Sequence, residues 1–223
     1  MTAGRSTGAV LAIGIGLALA AGLAACGGSA KATPTTTTAT TTATTTTTLA
    51  PAQATALKPL LLTTSDFPTG WAQDTAKNAA ATKGTPTCVA NLVLLKGSAT
   101  SASVVFASPG QNPTAVIQTA GMFAPGRAAA SVKSLKSSFE SCNGGTLQSG
   151  SVTASLKIKP IVGVSTGDAG FADQMTVTEG KQSSYLDVLY AVKGSNAVFL
   201  GWSTTAAAVT FFTQLATKAV AKI

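Results

Sequence analysis

The chain has 223 residues, and its 15 lysines and arginines against 7 acidic residues give a formal net charge of +8. It contains no histidine, which excludes Ser-His-Asp and Cys-His catalytic sites and every histidine-ligated metal site. Charged residues make up only 10% of the chain, so the paired carboxylates of many hydrolases are also scarce. Composition therefore argues against an enzyme, and we expect no cofactor and no bound metal ion.

The amino terminus has the layout of a secretory signal peptide. Arg5 precedes an uncharged stretch that begins at Ala9, is rich in alanine, leucine and glycine, and ends in Leu23-Ala24-Ala25-Cys26. That ending matches the bacterial lipobox, whose cysteine receives a diacylglyceryl group. From this match we predict a signal peptide over residues 1–25 and a lipid on Cys26. Two acyl chains on one residue would anchor the protein stably to a membrane. An uncleaved transmembrane helix is the alternative, and the short, Gly- and Ala-rich stretch disfavours it.

A threonine-rich segment follows the lipobox. Thirteen of the sixteen residues from Thr33 to Thr48 are threonine, so this segment has little apolar surface to offset the entropy lost on ordering. We predict that residues 26–56 consist of the lipidated cysteine and a disordered tether, either a plain linker or an O-glycosylated one. Residues 57–223 then form one extracytoplasmic domain, which we expect to be monomeric.

Apolar periodicity and turn residues predict the elements of this domain. A short apolar turn near Leu57 leads into a Pro/Gly loop that delivers Trp71 to the core. Helices are predicted over 88–95, 125–142 and 206–222. Strands are predicted over 103–107, 115–123, 146–161 with interruptions, 171–179, 184–193 and 197–204.

The apolar rows of the last two strands predict how the layers pack. One strand has Leu186, Val188, Tyr190 and Val192 on one face, and the next has Val198, Leu200 and Trp202 on one face. The helix over 206–222 has an apolar side that is able to cover them. The predicted fold is an α+β domain with helices packed on one face of an antiparallel sheet.

The cysteines predict one disulfide. If Cys26 carries the lipid, Cys88 and Cys142 are the remaining pair in an exported, oxidising compartment. A redox or nucleophilic role for this pair would need a close C-x-x-C spacing or a basic neighbour, and the sequence has neither.

Two patterns resemble functional motifs. Gly163-Val164-Ser165-Thr166-Gly167 fits the nucleophile elbow of hydrolases, but the elbow needs a base to take the serine proton, so we predict a turn. Asp168 and Asp173 resemble part of a calcium loop, yet they lack its other oxygen ligands, so we predict solvated or turn-capping carboxylates.

Charge restricts the expected partners. From Leu57 onward, thirteen lysines and arginines stand against seven acidic residues, a net of +6. An exported, tethered domain is not expected to meet nucleic acid. Anionic lipid headgroups and acidic wall polymers are the nearer partners, and a merely soluble surface is the alternative.

Several segments together carry a family resemblance. These are Leu-Leu-x-x-x-Asp-Phe-Pro-x-Gly-Trp over 61–71, Phe139-Glu140-Ser141-Cys142, Gly167-Asp168 and Tyr185-Leu186-Asp187-Val188. Over residues 57–223 the chain resembles actinobacterial lipoproteins related to the extracellular sensor domain of a mycobacterial serine/threonine kinase. The resemblance implies a curved antiparallel sheet, flanking helices, a cleft between them and a ligand-sensing role. The kinase sensor is expected to have two disulfides, whereas this chain can form one.

The leading functional hypothesis is a lipid-anchored, non-enzymatic binding or sensor module in the cell envelope. Tyr185, Asp187, Tyr190 and Trp202 are the candidate lining of its cleft, because aromatic rings beside a carboxylate suit a small ligand with polar and apolar parts. For each residue, ordinary core or surface is the alternative. Two other functions stay open: a lipid carrier with an apolar cavity, and a hydrolase with an unrecognised Ser/Lys or carboxylate site.

Overall fold

A computed structural model describes residues 55–75, 87–110, 114–149, 152–207 and 209–223. Eight strands occur in this part of the chain: β1 (Ala72–Gln73), β2 (Thr100–Ala107), β3 (Ala115–Met122), β4 (Thr146–Ser149), β5 (Val152–Pro160), β6 (Ala169–Glu179), β7 (Gln182–Lys193) and β8 (Asn196–Thr204). They form one antiparallel sheet in the order β1-β2-β3-β8-β7-β6-β5-β4. The antiparallel sheet predicted from the sequence is therefore confirmed.

The helices lie close to their predicted positions. They are α1 (Thr87–Val93), α2 (Arg127–Glu140) and α3 (Val209–Ala221). Residues 55–57 are also α-helical and continue into a 3₁₀ turn over Lys58–Leu60, and a second 3₁₀ turn lies over Thr64–Asp66. None of the helices in the described ranges has the length and apolar character needed to cross a membrane.

Helices cover both faces of the sheet. Face A lies under α1 and α2, and its core comprises Val105, Ile117, Leu156, Phe171, Met175, Val188, Tyr190 and Phe199 with Leu92, Leu135 and Phe139 of the helical segments. Face B lies under α3, and its core comprises Val104, Phe106, Val116, Leu189, Leu200 and Trp202 with Phe212, Leu215 and Ala219 of the helix. The prediction of helices on one face is therefore not confirmed.

The register of the last hairpin explains this difference. Val188 pairs with Gly201 and Leu189 pairs with Leu200, so the row containing Leu200 and Trp202 shares a face with Leu189, not with Val188. Directly paired residues of antiparallel strands lie on the same face, and a shift of one residue reverses the face. Because β7 and β8 bury side chains on both sides, the sheet needs a helical layer on each.

The predicted disulfide is present. Cys88 in α1 is bonded to Cys142, which follows α2, and their Cα atoms are 6.3 Å apart. The bond joins the two helical segments that cover face A.

A buried glutamine holds the first segment of the domain against face B. Gln118 of β3 is fully buried, its Oε1 accepts the Leu62 N–H at 2.5 Å, and its Nε2 donates to the Leu60 carbonyl at 3.0 Å. These bonds satisfy two backbone groups outside any strand or α-helix ladder. The apolar turn predicted near Leu57 is therefore fixed to the sheet by a side chain.

An aspartate joins the same segment to α3. The Asp66 carboxylate accepts the Thr63 N–H at 2.8 Å and lies 3.4 Å from the Lys222 ammonium. Partial burial alone would raise the pKa of Asp66, but the Thr63 bonds and Lys222 together hold that pKa below its usual value. The Asp-Phe-Pro motif thus helps to position the carboxyl-terminal helix.

Candidate ligand-binding site

A row of four side chains crosses face B on adjacent strands. Lys159 of β5 pairs with Gln174 of β6, Gln174 pairs with Asp187 of β7, and Asp187 pairs with Trp202 of β8. Residues paired directly in this way project from the same face of a sheet. We call Lys159, Gln174, Asp187 and Trp202 the polar row.

Three members of the polar row are buried, yet their hydrogen bonding is incomplete. Gln174 and Asp187 have no exposed surface, and Trp202 is 6% exposed. Gln174 Nε2 donates to Asp187 Oδ1 at 2.7 Å, which fixes the orientation of the amide. Gln174 Oε1, Asp187 Oδ2 and Trp202 Nε1 have no hydrogen-bond partner within the described part of the chain, and Asp173 Oδ2 on face A is a fourth such atom.

These three unpaired atoms of the polar row lower the stability of the folded protein. A buried polar atom without a partner destabilises a protein by about 1–3 kcal/mol, and native structures contain few such atoms. Burial raises the pKa of Asp187 above its usual range, although the Gln174 amide and Lys159 act in the opposite direction. Adjacent unsatisfied groups and a shifted carboxyl pKa are typical of functional sites.

Aromatic rings connect the polar row to the surface. Trp202 contacts Phe211 of α3 edge-on, with ring centroids 5.0 Å apart. Phe211 in turn lies 5.2 Å from Trp71, measured between centroids, and both of these residues are partly exposed. The buried row therefore adjoins an aromatic surface that solvent can reach.

The structure brings together three of the four lining candidates. Asp187 and Trp202 are direct partners, and Tyr185 lies one pair further along face B, opposite Thr176 and Thr204. Tyr185 is partly buried, so it lies at the edge of the site.

Tyr190 is not part of this arrangement, because it is buried on face A. Its hydroxyl lies 2.7 Å from the hydroxyl of Ser131 in α2, and Ser131 donates to the Ala128 carbonyl at 2.6 Å. Since the only hydroxyl proton of Ser131 is used in that bond, Tyr190 donates to Ser131. Burial is the main cause that raises the pKa of Tyr190 above its usual value.

Sequence reasoning missed Gln174 and Lys159. The available signal was a glutamine inside the apolar strand Phe171-Ala-Asp-Gln-Met, since a polar residue at a buried strand position usually has a specific partner. The alternation of apolar and polar residues in β6 does not identify this partner, because the partner depends on the register between β6 and β7.

The two aspartates compared with a calcium loop have different roles. Asp168 is exposed and accepts the Gly194 N–H at 2.8 Å, which agrees with a turn-capping role. Asp173 was expected to be solvated or turn-capping but is buried under α2, where Lys136 lies 3.8 Å from its Oδ2. Burial raises the pKa of Asp173, Lys136 lowers it and Glu140 raises it. Within the described ranges, no three metal-ligating side chains form a group.

The chain has a structural relative of known fold. No protein-family model matches the chain, and no curated protein matches it significantly. Among solved structures, it is similar to the extracellular domain of PknH from Mycobacterium tuberculosis, with a TM-score of 0.55 and 16% sequence identity over 78% of this chain and 96% of that one. The two chains share a fold. This likeness agrees with the fold implied by the sequence resemblance.

The unpaired atoms of the polar row are buried, so a ligand would reach them only if the structure opened locally. The open atoms of the row are two acceptors, on Gln174 and Asp187, and one donor, on Trp202. None of these residues is a serine, threonine or cysteine, so the row lacks the hydroxyl or thiol nucleophile of an acyl-transfer site.

Proposed function

We propose that this chain is a non-enzymatic ligand-binding or sensor module of the cell envelope. The observation that carries the proposal is the set of three buried, unpartnered polar atoms on Gln174, Asp187 and Trp202. Because these atoms are buried, a ligand would bond them only after a local opening of the site, and it would then remove a cost that the fold otherwise bears.

The proposed location is the extracytoplasmic side of a membrane. Its support is the lipobox ending at Cys26 and the threonine-rich segment after it, both of which lie outside the described residues. The shared fold with an extracellular domain is compatible with this location. A tether of this composition would hold the domain away from the bilayer, where it can meet wall or periplasmic ligands.

A polar ligand is favoured over the acyl chains of a lipid carrier. Acyl chains provide no hydrogen-bonding groups, so they would leave the open atoms of Gln174, Asp187 and Trp202 unsatisfied. A small polar ligand, or the polar part of an envelope component, suits these atoms better.

Native mass spectrometry of protein purified from its own membrane tests the proposal. We expect a bound mass on the wild-type protein that is lost in Asp187→Asn. Asp173→Asn is the matched control, because it makes the same change at a buried carboxyl on the opposite face. The proposal is wrong if all three proteins carry nothing, or if both variants retain the mass.

A further inference from the structure

One flank of α3 forms a solvent-accessible surface on the side of the domain that is joined to the predicted tether. We infer that this flank docks on an anionic phospholipid membrane, with Trp71 and Phe211 at the level of the headgroups and the neighbouring lysines against the lipid phosphates. The inference rests on the membrane-anchored location proposed above and adds the surface by which the domain meets that membrane. It does not require access to the buried polar row.

The sequence of α3 places an aromatic ring and two cations along one flank of the helix. Phe211, Lys218 and Lys222 are separated by seven and four residues, so their positions lie within about 40° of one another around the helix axis. The helix buries a separate stripe against face B, which comprises Phe212, Leu215, Ala216 and Ala219. The flank is therefore not used up by the core, and Phe211 is partly exposed while Lys218 is exposed.

The rings on this flank rest on the core and are partly open to solvent. Trp71 lies 5.2 Å from Phe211 and 5.1 Å from Phe67, measured between ring centroids. Phe67 is buried, whereas Trp71 and Phe211 are partly exposed. Large aromatic side chains at such positions suit the boundary of a membrane, where a ring meets apolar chains and an indole N–H meets polar headgroups.

Cations lie beside these rings. Lys222 is 3.4 Å from the Asp66 carboxylate, so these two charges compensate each other. Lys218 donates to the Asp66 carbonyl, which is neutral, so that bond leaves the positive charge of Lys218 in place. Lys58, in the 3₁₀ turn at the start of the same segment, is exposed as well. The surface has an excess of positive charge, and each such lysine favours contact with an anionic leaflet.

The position of the tether favours a membrane as the partner. Residues 27–54 separate the predicted lipid site from Thr55, the first described residue, and these 28 residues span at most about 100 Å. The segment that begins at Thr55 is bonded to Gln118 on face B, the face that α3 covers. A tethered surface meets lipid at a high effective concentration, so a weak contact is sufficient for docking. The same span also allows the undocked domain to stand away from the bilayer.

Fluorescence quenching by brominated lipid tests the docking. The full-length lipidated protein is reconstituted into vesicles of phosphatidylcholine alone or with an equal amount of phosphatidylglycerol, and in both the acyl chains are brominated near the headgroup end. We expect tryptophan emission to be quenched in the phosphatidylglycerol vesicles and much less in phosphatidylcholine alone. Trp71→Phe should abolish the quenching, because only the buried Trp202 then emits. Raised salt should weaken it.

Paired charge variants separate docking from the general positive charge of the domain. Lys58→Gln/Lys218→Gln removes two exposed cations from the docking surface, and Lys96→Gln/Lys133→Gln removes two exposed cations from the helical layer over face A. We expect the first pair to lower the ratio of docked to undocked protein about thirtyfold, the effect of two lysines at an anionic leaflet. The second pair should leave the ratio nearly unchanged. Urea unfolding verifies that both variants are folded, and they decide the matter if Trp71→Phe is not.

Three results would overturn the inference: no quenching of Trp71 in the anionic vesicles, equal quenching in both kinds of vesicle, or equal effects of the two lysine pairs. Flotation with the phosphatidylcholine vesicles reports on the anchor separately. Protein that floats without quenching refutes the docking and leaves the anchored location standing, whereas protein that floats with neither vesicle refutes both. The bound mass sought by native mass spectrometry does not depend on these results.

Discussion

At the scale of single residues, Asp187 and Asp173 are two buried carboxyls that have different neighbours on the two faces of the sheet. Asp187 is bonded to an amide on face B, and Asp173 lies near the ammonium of Lys136 on face A. Burial raises the pKa of both carboxyls. Neither carboxylate has enough partners to offset the cost of removing its charge from water.

The raised pKa of Asp187 predicts a pH dependence of stability. Since the folded protein holds this proton more tightly than the unfolded chain, the free energy of unfolding rises as pH falls through the folded pKa towards the unfolded value near 4. Asp187→Asn cannot titrate at this position. Urea unfolding at several pH values between 7 and 4 should therefore show the wild-type protein gaining stability relative to Asp187→Asn as pH falls.

Titration of Asp66 and Asp173 occurs in both proteins and cancels in this comparison. A difference between wild type and Asp187→Asn that stays constant with pH, or that changes in the other direction, would contradict the raised pKa.

At the scale of elements, sequence periodicity was informative where one face of an element is buried. In α2, the predicted stripe includes Ala128, Leu135 and Phe139, and all three are buried. Strands β7 and β8 are buried on both faces, so the alternation of apolar and polar residues that would identify the inner face is absent. The register between them is a property of the whole hairpin, which explains why the row from Leu186 to Val192 was predicted to lie under the same helix as Trp202, although it lies on face A.

A substitution at Gln118 tests whether its hydrogen bonds hold the first segment of the domain against the sheet. Gln118→Leu removes both hydrogen bonds and leaves the Leu62 N–H and the Leu60 carbonyl without that side-chain partner. We expect a loss of about 2–3 kcal/mol in the free energy of unfolding, measured in urea. Gln182→Leu, at an exposed glutamine of β7, is the control and should change stability by less than about 0.5 kcal/mol. Equal effects of the two variants would show that the Gln118 bonds do not support the segment.

The contribution of the Cys88–Cys142 disulfide to stability is also testable. The disulfide closes a loop with a sequence separation of 54, for which loop entropy gives a stabilisation of roughly 4 kcal/mol as an upper figure. A reductant should lower the urea midpoint of the wild-type protein and leave that of the Cys88→Ser/Cys142→Ser variant unchanged. If reduction does not destabilise the wild type, the bond contributes little to holding α1 and α2 together.

At the scale of the whole molecule, the predicted anchor places the domain at a membrane. Cys26 lies outside the described residues, so its lipidation stays a prediction from the lipobox. Metabolic labelling with an alkyne fatty acid should tag the wild-type protein and fail to tag Cys26→Ser. Cys88→Ser/Cys142→Ser should keep the label, because only the lipobox cysteine is expected to receive acyl chains. A labelled Cys26→Ser variant would contradict the predicted anchor.

Part of the candidate site was predictable from the sequence. Asp187 and Trp202 are candidates because aromatic rings beside a carboxylate suit a ligand with polar and apolar parts, and the structure makes them direct cross-strand partners. Tyr190 is a candidate for the same reason, but its odd separation from Asp187 along one strand puts it on the other face. Gln174 was recognised as part of the site only from the register between β6 and β7, which places it beside Asp187.

The central claim is that a ligand bonds the open atoms of the polar row, and the indole N–H of Trp202 reports on it directly. The chain has two tryptophans, Trp71 and Trp202, so an amide correlation spectrum of ¹⁵N-labelled protein contains two indole signals, and Trp202→Phe assigns them. On adding ligand released from the native membrane-purified protein, we predict a shift of the Trp202 signal that is lost in Asp187→Asn and retained in Asp173→Asn. A Trp202 signal that does not move while the ligand is bound would contradict the claim.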